Sequence, residues 1–212
     1  MPPVILGGLT AALLLASAAP AVAAAPVKPL SPAQLRAALI TPEDLGSGFT
    51  LNPKRFRGTL GSEEAHTKKC VKALAALRPI LRSKAASFID KKGKPAGVRQ
   101  FVISGTPARM ASWRKAGQVM VRDCVRNRTG RDVRETITKL SVGGAGDWTY
   151  GIRYSKKVPE AALSPVHASD VVLVKVKNTV TLLVSDGYFS TFDSGLSRRA
   201  ARVAVAKLRD AQ

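Results

Sequence analysis

The chain holds two cysteines, Cys70 and Cys124, and each falls on the apolar side of its own predicted helix. Counting 100° per residue, His66, Cys70, Ala73, Leu74 and Leu77 share one helical face, with Glu64, Lys68 and Lys72 opposite. Met110, Trp113, Gly117, Met120, Val121 and Cys124 line up within roughly 100° on a second, longer helix, with Lys115, Arg122 and Arg126 on its far side. If both helices form, the two thiols face one small core and can close a bridge across it. A bridge around a loop of about 54 residues contributes roughly 4 kcal/mol by the chain-entropy estimate. The alternative is a pair of buried free thiols.

The compartment decides between these, and the amino terminus speaks to it. Val4 to Val22 are almost all apolar or small, and Ala21-Val22-Ala23 precedes Ala24 in a small-x-small cleavage pattern. Residues 1–23 therefore read as a signal peptide, 24–34 as a flexible lead and 35–212 as one domain. The run is Ala-rich and flanked by Pro3, Pro20 and Pro26, which argues against a retained membrane span. No Lys or Arg precedes it, so the terminal amine supplies the charge or the true start lies upstream. No cysteine follows closely enough for a lipid anchor. Export into an oxidising compartment favours the bridge.

Along the mature chain, Ser31 caps a short helix with Pro32 at its first position, and Thr41-Pro42-Glu43-Asp44-Leu45 makes a turn or second helical start. An extended piece follows around Phe49 to Phe56. Ser62 is the expected cap of the first cysteine helix, and Pro79 ends or kinks it. Gly97 to Ser104 reads as a strand, Thr106-Pro107 opens the second long helix, and Gly130 closes it. The period then changes to two. Val133 to Val142 is weakly patterned, while Trp148, Tyr150, Ile152 and Tyr154 alternate strongly. Val172, Val174 and Val176, then Val180, Leu182 and Val184, form a hairpin around Lys177-Asn178, where Asn tolerates positive φ. A last helix runs from Asp193 or Ser194 to Arg209. Helices first, then consecutive strands and a closing helix predict an α+β fold: an antiparallel sheet with helices packed on one face and two long helices linked by a disulfide.

Several of these pieces together resemble a known group. Leu39-Ile40-Thr41-Pro42-Glu43-Asp44-Leu45-Gly46-Ser47-Gly48-Phe49 resembles the L-T-P-x-D-L-x-x-G-F opening of actinobacterial secreted sensor-like domains, related to the extracellular sensor domain of PknH-type serine/threonine kinases. The cysteine in each long helix, Gly146-Asp147 before a strand, the hairpin at Lys177-Asn178 and the final Ala/Lys/Leu helix follow in the same order. The resemblance implies a twisted antiparallel sheet, a helix–sheet cleft suited to a ligand, and a binding or sensing role without catalysis. It departs from the group in three ways. There is no kinase domain or transmembrane helix, one cysteine pair stands where the kinase sensor has two, and Lys177 replaces the usual turn glycine.

Chemistry-bearing patterns are sparse. His66 and His167 lie far apart, with no Cys-x-x-Cys or His-x-x-x-His spacing, so no metal or cofactor is implied. No nucleophile elbow or phosphate-cradling loop is present, and no catalytic residue is assigned. A secreted hydrolase stays as the enzyme alternative. Charge is the louder signal: 34 Lys and Arg against 14 Asp and Glu, a formal +20. That balance attracts polyanions, and export turns the expectation away from nucleic acid, towards an anionic envelope polymer or lipid surface. The candidate anion-binding residues are Lys115, Arg122, Arg126, Arg128, Arg131, Arg134, Arg198, Arg199, Arg202 and Arg209, which have few acidic neighbours in sequence. The plain alternative is a solvated basic surface. Trp113, Trp148, Tyr150 and Tyr154 are candidates to line a cleft for a small or apolar ligand, as in a lipid carrier; the alternative is that they form ordinary core.

Overall fold

The computed structural model describes residues 28–52, 67–129, 133–157, 167–188 and 191–212. The signal-peptide region, Ser62, His66, Gly130 and Arg131 lie outside them. Within them the chain is mixed α+β, built on eight antiparallel strands in the order β1-β2-β3-β8-β7-β6-β5-β4. These are β1 (Phe49–Leu51), β2 (Ala85–Lys91), β3 (Ala96–Ser104), β4 (Arg126–Thr129), β5 (Arg134–Lys139), β6 (Trp148–Lys157), β7 (His167–Val176) and β8 (Thr179–Tyr188). Six α-helices accompany them: α1 (Pro32–Ala37), α2 (Pro42–Leu45), α3 (Lys68–Ala76), α4 (Arg78–Leu81), α5 (Pro107–Asp123) and α6 (Leu196–Asp210).

Local chemistry explains the helix boundaries. Ser31 and Gln34 exchange side-chain and backbone hydrogen bonds at 3.3 and 2.9 Å, a capping box with Pro32 at the first position. Asp44 accepts the Thr41 N–H at 2.7 Å and starts α2 in the same manner. The cap of α3 is Thr67, not Ser62: its hydroxyl accepts the Cys70 N–H at 3.0 Å. Leu77 is the C-cap of α3 and also caps α4, and Pro79 sits in the first turn of α4, where its missing N–H is tolerated. Leu30, which the sequence assigns to the lead, is buried and donates its N–H to Ser104 Oγ at 3.2 Å.

The helices cover both faces of the sheet, which corrects the one-face expectation. The inner strands are apolar on both sides: Val172, Val174, Val176 and Leu183 belong to one core, Val171, Leu173, Leu182 and Val184 to another. A strand buried on both faces needs cover on both. α1, α2 and α6 supply it on one side. On the other, α4 and α5 meet the sheet, and α3 packs on α5.

Two strands escape the sequence reading. β2 buries Ala85, Ser87 and Ile89 in alternation, but the polar Ser87 in the middle hides the period; its hydroxyl donates to the Ile40 carbonyl at 2.8 Å. β4 begins where helix was expected. α5 ends at Asp123, and Arg126 is already paired opposite Ile137 in the sheet, so Arg126 does not share a helix face with Lys115 and Arg122. The β7–β8 turn also differs in detail. Val176 pairs with Thr179 across a two-residue loop whose left-handed residue is Lys177 (φ 51°), not Asn178. Asp147 accepts the Lys177 N–H at 2.9 Å and also pairs with the Lys175 ammonium, which fixes that turn from outside.

Candidate anion-binding groove

Cys70 and Cys124 are joined in a disulfide with their Cα atoms 5.1 Å apart. The bond ties the first turn of α3 to the cap residue that ends α5, and Thr67 Oγ1 donates to the Asp123 carbonyl beside it. The two helices thus meet along a seam whose facing residues are small. Ala73 and Ala76 of α3 look across at Ala116 and Val119 of α5. Helical spacing places cations above this floor: Lys69 and Lys72 one turn from the alanines on α3, Lys115 and Arg122 two turns apart on α5. Together they line an open groove of about 350 Å³.

The charge in the groove is unbalanced. Asp123, the one carboxylate among its described lining residues, takes a bidentate contact from Arg122 at 3.0 and 2.8 Å. That hydrogen bonding holds the Asp123 carboxyl below the ordinary carboxylate range, with the charges of Arg122 and Lys69 acting in the same direction against desolvation. Lys69, Lys72 and Lys115 have no ion-pair partner among the described residues. An apolar floor under a cationic rim can accept a molecule with an anionic head and an apolar body. The sequence candidates include Lys115 and Arg122 but neither Lys72 nor Lys69. The signal was the spacing of Lys69, Ala73 and Ala76 on one edge of α3, which is legible only once the neighbouring helix is known.

The remaining candidate cations do not join this groove. Arg126 lies in β4, Arg128 is placed by its backbone in β4 opposite Glu135, and Arg134 opens β5. Arg198, Arg199, Arg202 and Arg209 are exposed on α6, across the sheet from the groove. Two of these have partners that sequence neighbours did not reveal: Arg199 pairs with Asp193 at 2.6 Å, and Arg198 donates to the Ser141 carbonyl at 3.1 Å. Arg202 and Arg209 flank a separate hollow beside Gly143 and Gly144.

The aromatic candidates gather under α5. Trp113 and Tyr154 are buried at 3 % and 1 % exposure, and the Tyr154 hydroxyl donates to Glu135 at 3.2 Å. Trp148 and Tyr150 are half-buried, with ring centroids 5.4 Å apart. Gly117 lies so close to the Tyr150 ring that a Cβ there would overlap it, which lets α5 sit down on β6. His167 stacks on Tyr188 at 4.6 Å. Among the described residues no three His, Cys, Asp or Glu side chains converge as a metal site, and no helix is long and apolar enough to cross a membrane.

Sequence reasoning also missed a buried polar lock on the α6 side. Arg153 grips Asp170 with two contacts of 2.7 Å and donates to the Ser194 carbonyl at 3.0 Å. Ser197 donates to the same carboxylate at 2.7 Å and also touches Ser185. It ties β6, β7 and β8 to the start of α6.

No protein-family model matches the chain, and no curated protein matches it. Among solved structures it is similar to the crystal structure of the extracellular domain of PknH from Mycobacterium tuberculosis. The two are 14 % identical, the match spans 86 % of this chain and 98 % of that one, and the TM-score is 0.52. At that identity the likeness establishes a shared fold.

Proposed function

We propose that this chain is a non-catalytic, extracytoplasmic, sensor-like module of the cell envelope, and that its α3/α5 groove docks on anionic lipid. The groove carries the reading: four cations, Lys69, Lys72, Lys115 and Arg122, surround an alanine and valine floor with one carboxylate among the described residues. The fold shared with an extracellular sensor domain, the disulfide and the signal-like amino terminus support the location. A cation near an anionic membrane surface contributes about 1 kcal/mol, so four acting together suffice for reversible attachment. The apolar floor adds a preference for lipid over a bare polymer.

Co-sedimentation with vesicles tests this. The mature protein pellets with vesicles containing phosphatidylglycerol and stays in solution with pure phosphatidylcholine. Binding falls at least about tenfold between about 0.1 and about 1 M NaCl, as the screening length shrinks from about 10 to about 3 Å. The charge reversal Lys72→Glu with Arg122→Glu abolishes it. Equal binding to both vesicles, or binding indifferent to salt, would overturn the proposal.

A further inference from the structure

A second group of donors lies at the far corner of the sheet, and neither the groove nor either core uses it. Antiparallel register sets Arg134 directly opposite Lys157 and Thr136 directly opposite Ser155. The four line one hollow of about 310 Å³. By the two-residue alternation of a strand they share the face of Arg153, which is the α6 side.

Like charges placed directly across a ladder repel each other. Here nothing relieves them: among the described residues neither Arg134 nor Lys157 has an ion-pair partner. The nearest acid in sequence, Glu135, points to the other face, where it accepts the Tyr154 hydroxyl. The hydroxyls of Thr136 and Ser155 are half-buried and have no hydrogen-bond partner among the described residues. Adjacent strands are about 4.8 Å apart and alternate residues about 7 Å apart, so four donors sit at the corners of a small rectangle. We propose that this corner binds a phosphate or sulfate monoester, with the two cations opposing the charged oxygens and the two hydroxyls donating to them. A hollow of about 310 Å³ is at the lower end of pockets that hold small organic molecules, about 300 to 1,000 Å³. The carbon part of an ester therefore fits beside the oxyanion.

The test is titration of the protein with glucose 6-phosphate, followed by backbone amide NMR shifts, with NaCl at matched ionic strength as the control. Saturable shifts confined to residues 134–136 and 155–157 are expected. Arg134→Gln with Lys157→Gln weakens binding by about tenfold or more, as loss of charge-assisted hydrogen bonds does. Thr136→Val weakens it less, and Lys157→Arg retains it. Lys72→Glu in the α3/α5 groove leaves it unchanged, which separates this site from the lipid proposal. Inorganic sulfate and vesicles of phosphatidic acid distinguish the sources: binding of sulfate and the sugar phosphate marks a soluble ester, binding of the vesicles alone a lipid headgroup. Shifts that NaCl reproduces, or undiminished binding by the doubly substituted protein with an unchanged melting temperature, would overturn the assignment.

Discussion

The two faces of the sheet are covered by different means. On one, α6 lies along β7 and β8 and presents Leu196, Ala200, Ala201, Ala204, Val205 and Leu208 to a floor of valines. Small residues let a fifteen-residue helix lie close, and the Arg153–Asp170–Ser197 lock fixes its start. On the other, the core holds Phe101, Met110, Trp113, Met120 and Tyr154, and the outermost helix, α3, is nine residues long. A helix of that length is marginal alone, and α3 packs on α5 instead of lying on the sheet. One face is held by apolar area and a polar lock, the other by aromatic bulk and a covalent tie. The tied face carries the groove, so the charges that would repel one another along α3 and α5 are kept at close quarters by the bond between Cys70 and Cys124.

Removing the tie breaks this contrast most severely. Cys70→Ser with Cys124→Ser costs about 4 kcal/mol of stability by the loop-entropy relation. Denaturant unfolding measures the loss. Hydrogen exchange then shows protection falling in α3 and α4 while α6 keeps its own. Equal loss in α6 would mean that the faces are not independent. Next in size is the lock on the other face. Asp170→Ala strands the Arg153 guanidinium and the Ser197 hydroxyl, and breaking such a pair costs about 3 kcal/mol. Here exchange protection drops at the start of α6 and remains in α3.

The smallest effect concerns Asp186, which strand alternation places on the α3–α5 side. Burial pushes its carboxyl above the ordinary carboxylate range, and the charges of Arg99 and His167 offset this only in part. A carboxyl raised in the folded state contributes stability below its unfolded value, and that contribution is lost as pH rises through the folded value. Asp186→Asn therefore raises the melting temperature at neutral pH, with a gain that shrinks on acidification. A gain that is the same at about pH 4 and about pH 7 would show that the charge is not the cause.

Much of this architecture was legible in the residues. The cysteine helices, the alternation from Trp148 to Tyr154 and the valine hairpin all appear where periodicity puts them. What escaped did so for definite reasons. Ser87 interrupts an otherwise apolar alternation because its hydroxyl is satisfied by Ile40, a residue 47 positions away. β4 is four polar residues long and owes its strand conformation to β5, not to its own composition. Each hairpin strand carries a second apolar face, Val171 and Leu173 on β7 towards one core and Leu183 on β8 towards the other, but a period-two reading keeps only the residues on the face it starts from. The groove was half visible. Two of its cations stood out on α5, while Lys69 and Lys72 acquired a meaning only when α3 was laid beside it.

The strand order has a consequence in time. One inner ladder of the sheet is β3 on β8, joining Ala96–Ser104 to Thr179–Tyr188. A chain that emerges amino end first must hold β3 in waiting, one edge paired with β2 and the other bare, until its last quarter arrives. Contacts so distant in sequence make assembly slow and leave that edge open to wrong partners. The two sulfur atoms belong to the part that has already emerged, so their bond can close while the middle of the sheet is still missing.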